Sequence, residues 1–172
     1  MLKDRFWQPK IEKLRPQALL RLQNRRVAAT ARYAYERNGF YRRKLKESGI
    51  RPSQVKGVAD LRKIPFTTKA DFRENYPYGL LAAPLDEVSR VHASSGTTGD
   101  PTVVAYTEMD LENWSDCIAR CLTMTGVTRK DIYQVILGYG LFTGGLGFHY
   151  GAEKVGATWY PPRQETQNGR SG

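Results

Sequence analysis

Glu87-Val88-Ser89-Arg90-Val91-His92-Ala93, then Ser94-Ser95-Gly96-Thr97-Thr98-Gly99-Asp100-Pro101, then Thr102-Val103-Val104-Ala105-Tyr106-Thr107 is the stretch on which the fold turns. The first part alternates and is rich in valine, and the third is a second β run; both read as strands. Between them, Ser94 to Gly99 packs four hydroxyls and two glycines into six residues. Glycines permit tight turns and let backbone N–H groups approach a ligand. Hydroxyls add donors of their own. The composition suits a polyphosphate, although many such loops are only solvated turns. It is not a kinase-type P-loop, because the Gly-Lys-Ser/Thr ending is absent and a strand follows instead of a helix.

Outward from this hairpin the chain alternates strand and helix. Thr107 with Asp110 resembles a capping box and opens a helix to about Thr125, with Leu111, Trp114, Ile118, Cys121, Leu122 and Thr125 at helical spacing. Ile132–Gly138 reads as a buried strand. Gly138-Tyr139-Gly140-Leu141-Phe142-Thr143-Gly144-Gly145 is a glycine-rich turn, Leu146–Gly156 a helix, and Ala157–Pro161 the next strand. This order predicts an α/β fold with a parallel or mixed sheet. Upstream the pattern is helical. Pro16 suits a first turn and Gly39 an end; Phe40–Ile50 is a second helix closed by Gly49; Thr68 caps a short helix over Lys69–Asn75 that Pro77 closes.

The chain has 172 residues, 40% of them hydrophobic and 26% charged, values of a globular protein. No apolar run is long enough to span a bilayer, and Met1–Lys10 lacks the apolar centre of a signal peptide. A cytoplasmic location without membrane contact is the expectation. The net charge of +10 is uneven: residues 1–63 hold 18 Lys and Arg against 5 Asp and Glu. This basic half could steer an anion or bind nucleic acid. Its cations alternate with Leu19, Leu22, Val27, Ala31 and Ala34, as on an amphipathic surface helix, so nucleic acid is not an expected partner. Cys117 and Cys121, the only cysteines, sit four apart on one helix face. They are expected to be reduced core thiols, because no second pair completes a metal site.

The wider string from His92 to Val104 resembles the phosphate loop of the adenylate-forming acyl–CoA ligases. Phe40-Tyr41-Arg42-Arg43, Leu61 through Pro65-Phe66-Thr67-Thr68-Lys69, Asn75-Tyr76-Pro77-Tyr78-Gly79-Leu80 and Gly138 to Gly151 resemble, in the same order, the phenylacetate–CoA ligase family. The resemblance covers about residues 5–161. It implies a partial N-terminal AMP-binding domain over residues 1–162. The implied reaction joins a carboxylate and ATP to give an acyl-adenylate, then passes the acyl group to coenzyme A. The substrates would be an aryl acid such as phenylacetate, ATP and CoA, with magnesium assisting, and the full-length family suggests a homodimer.

On the same resemblance Ser94, Ser95, Gly96, Thr97, Thr98 and Gly99 would hold the phosphates, and Tyr139, Phe142 and Gly144 would shape the acyl pocket. His149 would either face that pocket or be a satisfied core histidine. The magnesium ligands and the catalytic lysine are expected beyond Gly172, so no catalytic residue or metal ligand is assigned here and the 172 residues alone are expected to be inactive. The alternative is a non-catalytic nucleotide-binding or interaction remnant. Asp100 departs from the family, where a lysine usually precedes the proline. A carboxylate a few ångströms from a phosphate costs on the order of a few kcal/mol at an effective dielectric near 20.

After Pro161 the family continues with a motif like Pro-x-Ser-Gly-Gly-Asn-Thr-Glu-Arg-Gln-Val. Back-translation of Pro162–Ser171, read from the third base with permissive codons, gives Ala-Ser-Gly-Asn-Thr-Glu-Arg-Gln-Val. A frameshift near Pro161–Arg163 is therefore expected, with residues 163–172 a non-native, disordered tail.

Overall fold

Pro16 supplies no N–H, which costs nothing in a helix's first turn, and the long helix α2 (Pro16–Arg37) begins there. A short helix α1 (Pro9–Glu12) precedes it. The computed structural model describes residues 5–94, 101–136 and 143–160. The chain divides into two compact units, Gln8–Glu112 and a second formed by Asn113–Gly172 together with Met1–Trp7.

In the larger unit α2 packs against α3 (Gly39–Glu47) and two 3-10 turns, Pro52–Gln54 and Val58–Lys63. The helix break lies at Asn38 and not at Gly39 as the sequence suggests. Asn38 is extended, and its Oδ1 accepts from the N–H of Phe40 (2.9 Å) and Tyr41 (3.2 Å), so one residue ends α2 and caps α3. Gly39 becomes the first residue of α3. Asn38 is only 4% exposed, and its Nδ2 donates to the carbonyls of Gly79 (3.0 Å) and Leu81 (2.9 Å). Four hydrogen bonds therefore justify a polar side chain in the interior. α3 closes at Gly49, whose φ of +68° is the left-handed conformation glycine adopts without penalty.

Helix α4 (Lys69–Glu74) is capped as expected. The Asp71 N–H donates to Thr68 Oγ1 at 3.3 Å and the Thr68 N–H to Asp71 Oδ2 at 2.6 Å. Lys44 of α3 reaches the same carboxylate at 2.7 Å, tying the two helices. That ammonium, followed by the Thr68 N–H, holds the Asp71 carboxyl below the usual carboxylate range. β1 (Val88–Ala93) and β2 (Val103–Thr107) form an antiparallel hairpin pairing His92 with Val104 and Ala93 with Val103, with a register irregularity between Val88 and Arg90.

Helix α5 (Glu108–Thr125) opens on the expected Thr107–Asp110 box, with the Thr107 N–H donating to Asp110 Oδ2 at 2.9 Å. The boundary between the units falls within it. In the second unit β3 (Ile132–Gln134) and β4 (Thr158–Tyr160) pair in parallel, joined through α6 (Thr143–Val155). Ala119, Leu122, Ala152 and Val155 form its core, with Trp7, Ile118, Val127, Tyr133 and Phe148 against them. Asp116 Oδ1 accepts from Trp7 Nε1 (2.9 Å) and Lys154 Nζ (2.9 Å).

The mixed α/β expectation holds, but among the described residues the strands lie in two separate two-stranded ladders. Two local expectations are corrected. Over its described part, Ile132–Ile136, the expected buried strand shortens: β3 spans three residues, Val135 is buried, and Ile132 and Ile136 are exposed, Ile136 by 84%. The cysteines are not core residues. Cys117 and Cys121 are free, as expected, but exposed. The buried face of α5 carries Ser115, Ala119 and Leu122, on the opposite side. Helical spacing alone fixed the stripe one step too wide.

Candidate functional site

The hairpin β1–β2 carries the hydroxyl-rich run at its open end. Past Ala93 and Val103 the pairing continues by one rung. The Ser94 N–H donates to the Thr102 carbonyl at 3.0 Å, and the Thr102 N–H donates to Ser94 Oγ at 2.9 Å. Ser94 is exposed, and its side chain is used here as an acceptor. A hydroxyl is one donor and two lone pairs, and among the described residues its O–H hydrogen is given to no acceptor. Ser94 therefore fixes the loop's base. Ser95, Gly96, Thr97, Thr98, Gly99 and Asp100 lie outside the described residues.

Below this rung the hairpin is stiffened by aromatic packing. His92 is 3% exposed and meets Tyr106 edge-to-face, with centroids 5.4 Å apart at 86°. Burial first, and the Asp110 carboxylate second, push the Tyr106 phenol above its ordinary range. Tyr106 thus stays a neutral packing group under the arm that leads into the loop.

Tyr139 and Phe142 also lie outside the described residues; Gly144 is half-buried in the first turn of α6. The helix begins at Thr143, three residues earlier than the sequence suggests, so Gly144 and Gly145 belong to it and not to the turn. Two later glycines have a packing role. A Cβ on Gly147 would stand 2.8 Å from Cε2 of Trp114, and one on Gly151 would stand 2.6 Å from Cβ of Ile118 and 3.2 Å from the Ala119 nitrogen. The pair, four apart on one face, lets α6 lie close against α5. The Trp114 ring fills the space beside Gly147.

His149 is half-buried on α6, and the pocket-facing reading rests on Tyr139 and Phe142, outside the described residues. The His149 ring is edge-on to Trp159 at 4.4 Å and to Tyr150 at 5.1 Å, and Nε2 lies 3.3 Å from Glu153 Oε1. One feature escaped sequence reasoning altogether. An open apolar cavity of about 490 Å3 lies along α2 and α3, with Val27, Ala31, Leu45, Leu61 and Ile64 among its walls and Arg26 and Lys44 among its polar lining. Its walls come from three separate segments, so no local motif announces it.

Among the described residues no three His, Cys, Asp or Glu side chains come together as a metal site. No helix among them is long and apolar enough to cross a membrane.

Comparison with solved structures defines the class. The fold is that of an N-terminal part of an adenylate-forming CoA ligase: it superimposes on 2-hydroxyisobutyryl-CoA ligase in complex with 2-HIB-AMP and CoA with a TM-score of 0.85 and 31% identity, over 92% of this chain and 34% of that one. An open conformation of the same ligase gives 0.84 and 30% over the same 92%. Within that class the sequence is similar to particular enzymes. It is 52% identical over 140 residues to the phenylacetate-coenzyme A ligase of Escherichia coli strain K12, covering 81% of this chain and 32% of that protein. To the phenylacetate-coenzyme A ligase of Thermus thermophilus it is 50% identical over 156 residues, 91% of this chain and 35% of that protein. The chain thus spans about a third of the length of these relatives. No family model matches it.

Proposed function

We propose that this chain is the nucleotide-phosphate segment of a phenylacetate–CoA ligase. In the whole enzyme an aryl acid and ATP would give an acyl-adenylate and pyrophosphate, and the thiol of coenzyme A would then displace AMP to leave the thioester. Ser94, Ser95, Gly96, Thr97, Thr98 and Gly99 hold the phosphates in this reading. Tyr139 and Phe142 wall the acyl ring, with Gly144 at the start of α6 giving it room. The observation that carries the reading is the Ser94–Thr102 rung. It sets the two arms of the hairpin from which the hydroxyl- and glycine-rich run springs, in a chain about half identical to such ligases.

Titration calorimetry of the 172-residue chain with ATP tests it. Replacing Ser95 and Thr97 together by Ala removes two donors to a charged acceptor. Each is worth about 1.5–3 kcal/mol, so affinity should fall by about 100-fold or more. Asp100→Lys exchanges a like charge for an opposite one and should tighten binding at low salt, an effect that salt screens. Equal affinity in all three proteins would show that the loop is not the nucleotide site. The chain alone should give no phenylacetate-dependent ATP–pyrophosphate exchange, since it spans about a third of the relatives' length. Exchange at the rate of a full-length ligase would contradict that.

A further inference from the structure

Cysteine is among the residue types most often found inside proteins. Here both cysteines are exposed on one helix, outside the two loops. Cys117, Cys121 and Met124 follow one another at spacings of four and three residues along α5. At 3.6 residues per turn all three fall within about 60° of arc. Each stands two residues after a buried one, Ser115, Ala119 and Leu122. Two residues are about 200° of rotation, so the sulfur stripe lies opposite the face packed on the core. Met124 is 60% exposed, against the habit of a flexible apolar side chain.

The pair is suited to a metal and not to a disulfide. Residues four apart on a helix have Cβ atoms about 5–6 Å apart. A disulfide wants about 3.5–4.5 Å between them and a single S–S bond near 2.04 Å. A bridging metal instead contributes two metal–sulfur bonds, each about 2.3 Å for a thiolate. It therefore spans the gap without bending the helix. Helical side chains lean toward the N-terminus, which brings the longer Met124 thioether back over the turn that carries Cys121. Two thiolates and a thioether are a soft donor set, which selects Cu(I). Zinc would want four ligands, and among the described residues no third His, Cys, Asp or Glu joins the pair.

We propose that Cys117, Cys121 and Met124 form a surface site for a soft monovalent metal ion of the Cu(I) class. On binding, each thiol gives up its proton to solvent and its sulfur takes the metal, with no change of oxidation state. The Met124 sulfur closes the third position. This site is independent of the nucleotide loop and of the ligase reading.

The test is an anaerobic titration of the full chain with Cu(I) against a chromogenic Cu(I) chelator. One equivalent should be held, with a near-ultraviolet thiolate-to-metal band. Cys117→Ser and Cys121→Ser should each weaken retention by at least about 100-fold, beyond the roughly 10- to 100-fold cost of losing a group that only supports a ligand. Met124→Leu should weaken it about tenfold and leave the band in place, as a weak third donor should. All three positions are solvent-facing, so the variants should keep the wild-type circular dichroism melt. Retention by either serine variant equal to wild type would overturn the site. So would one metal shared between two chains, or a Met124→Leu protein that binds as tightly as the parent.

Discussion

Each of the two units has an interior organised by its own chemistry. The larger one is organised by polar side chains that finish helices: Asn38 between α2 and α3, and the Thr68–Asp71 box under α4 with Lys44 drawn in. The smaller one is organised by close approach, with Gly147 and Gly151 letting α6 settle against Trp114 and Ile118 of α5 over a core of Ala119, Leu122, Ala152 and Val155. The difference teaches where a single substitution should hurt. In the first unit it is the loss of a hydrogen-bonding hub; in the second it is the addition of one methyl group.

The sharpest break should come at Asn38. Asn38→Ala removes a helix cap and leaves the Gly79 and Leu81 carbonyls without their donor. A cost of about 3 kcal/mol follows from the cap and the unsatisfied groups together. Urea unfolding followed by hydrogen exchange should show protection lost in α2 and α3 while α5 and α6 keep theirs. Equal loss in both would mean that the two units unfold as one.

Gly151→Ala comes next, at about 2 kcal/mol, because neither the branched Cβ of Ile118 nor the Ala119 backbone can retreat cheaply. Its signature should be the reverse, with α5 and α6 losing protection. Wild-type stability in this variant would show that α6 does not lie as close to α5 as the glycines allow.

A smaller effect separates the units by pH. Asp71 has its carboxyl lowered, first by the Lys44 ammonium. Its contribution is present in full above the unfolded aspartate value of about 3.9 and is lost as pH falls through the lower folded value. Asp71→Asn should therefore lower stability at pH 7 and flatten the acid limb of the stability curve below about pH 4. An unchanged acid limb would remove the Lys44–Asp71 link from the account. The least effect should come from Gly39→Ala. Nothing lies within 4 Å of the added methyl, and a gain of about 0.5 kcal/mol is expected from the chain's reduced freedom when unfolded.

The first unit was the more legible in sequence, for a physical reason. A cap is a local event: Thr68 with Asp71 and Thr107 with Asp110 announce themselves within four residues, and both form. Asn38 was passed over for Gly39 because its strongest partners, Gly79 and Leu81, lie some forty residues away. Gly147 and Gly151 were read as helical, which holds, but their packing role was not legible. Whether a glycine gives room to a ligand or to a neighbouring helix depends on Trp114 and Ile118, which no local pattern places beside them. Exposure of Cys121 and Ile136 likewise depends on what packs across the element, which periodicity does not carry. The hairpin itself, with Ser94 at its base, was read from its two valine-rich arms alone.

The central claim, that this chain supplies the phosphate loop of a phenylacetate–CoA ligase, is tested most directly by substitution into a relative. Residues 1–160 would replace the matching N-terminal segment of the Escherichia coli enzyme, to which the chain is 52% identical over 140 residues. Phenylacetate-dependent ATP–pyrophosphate exchange would then be measured. The account predicts exchange that falls when Ser95 and Thr97 are changed to Ala and rises when Asp100 is changed to Lys. A soluble chimera with a single cooperative melt and no exchange, or with exchange indifferent to Ser95 and Thr97, would contradict it.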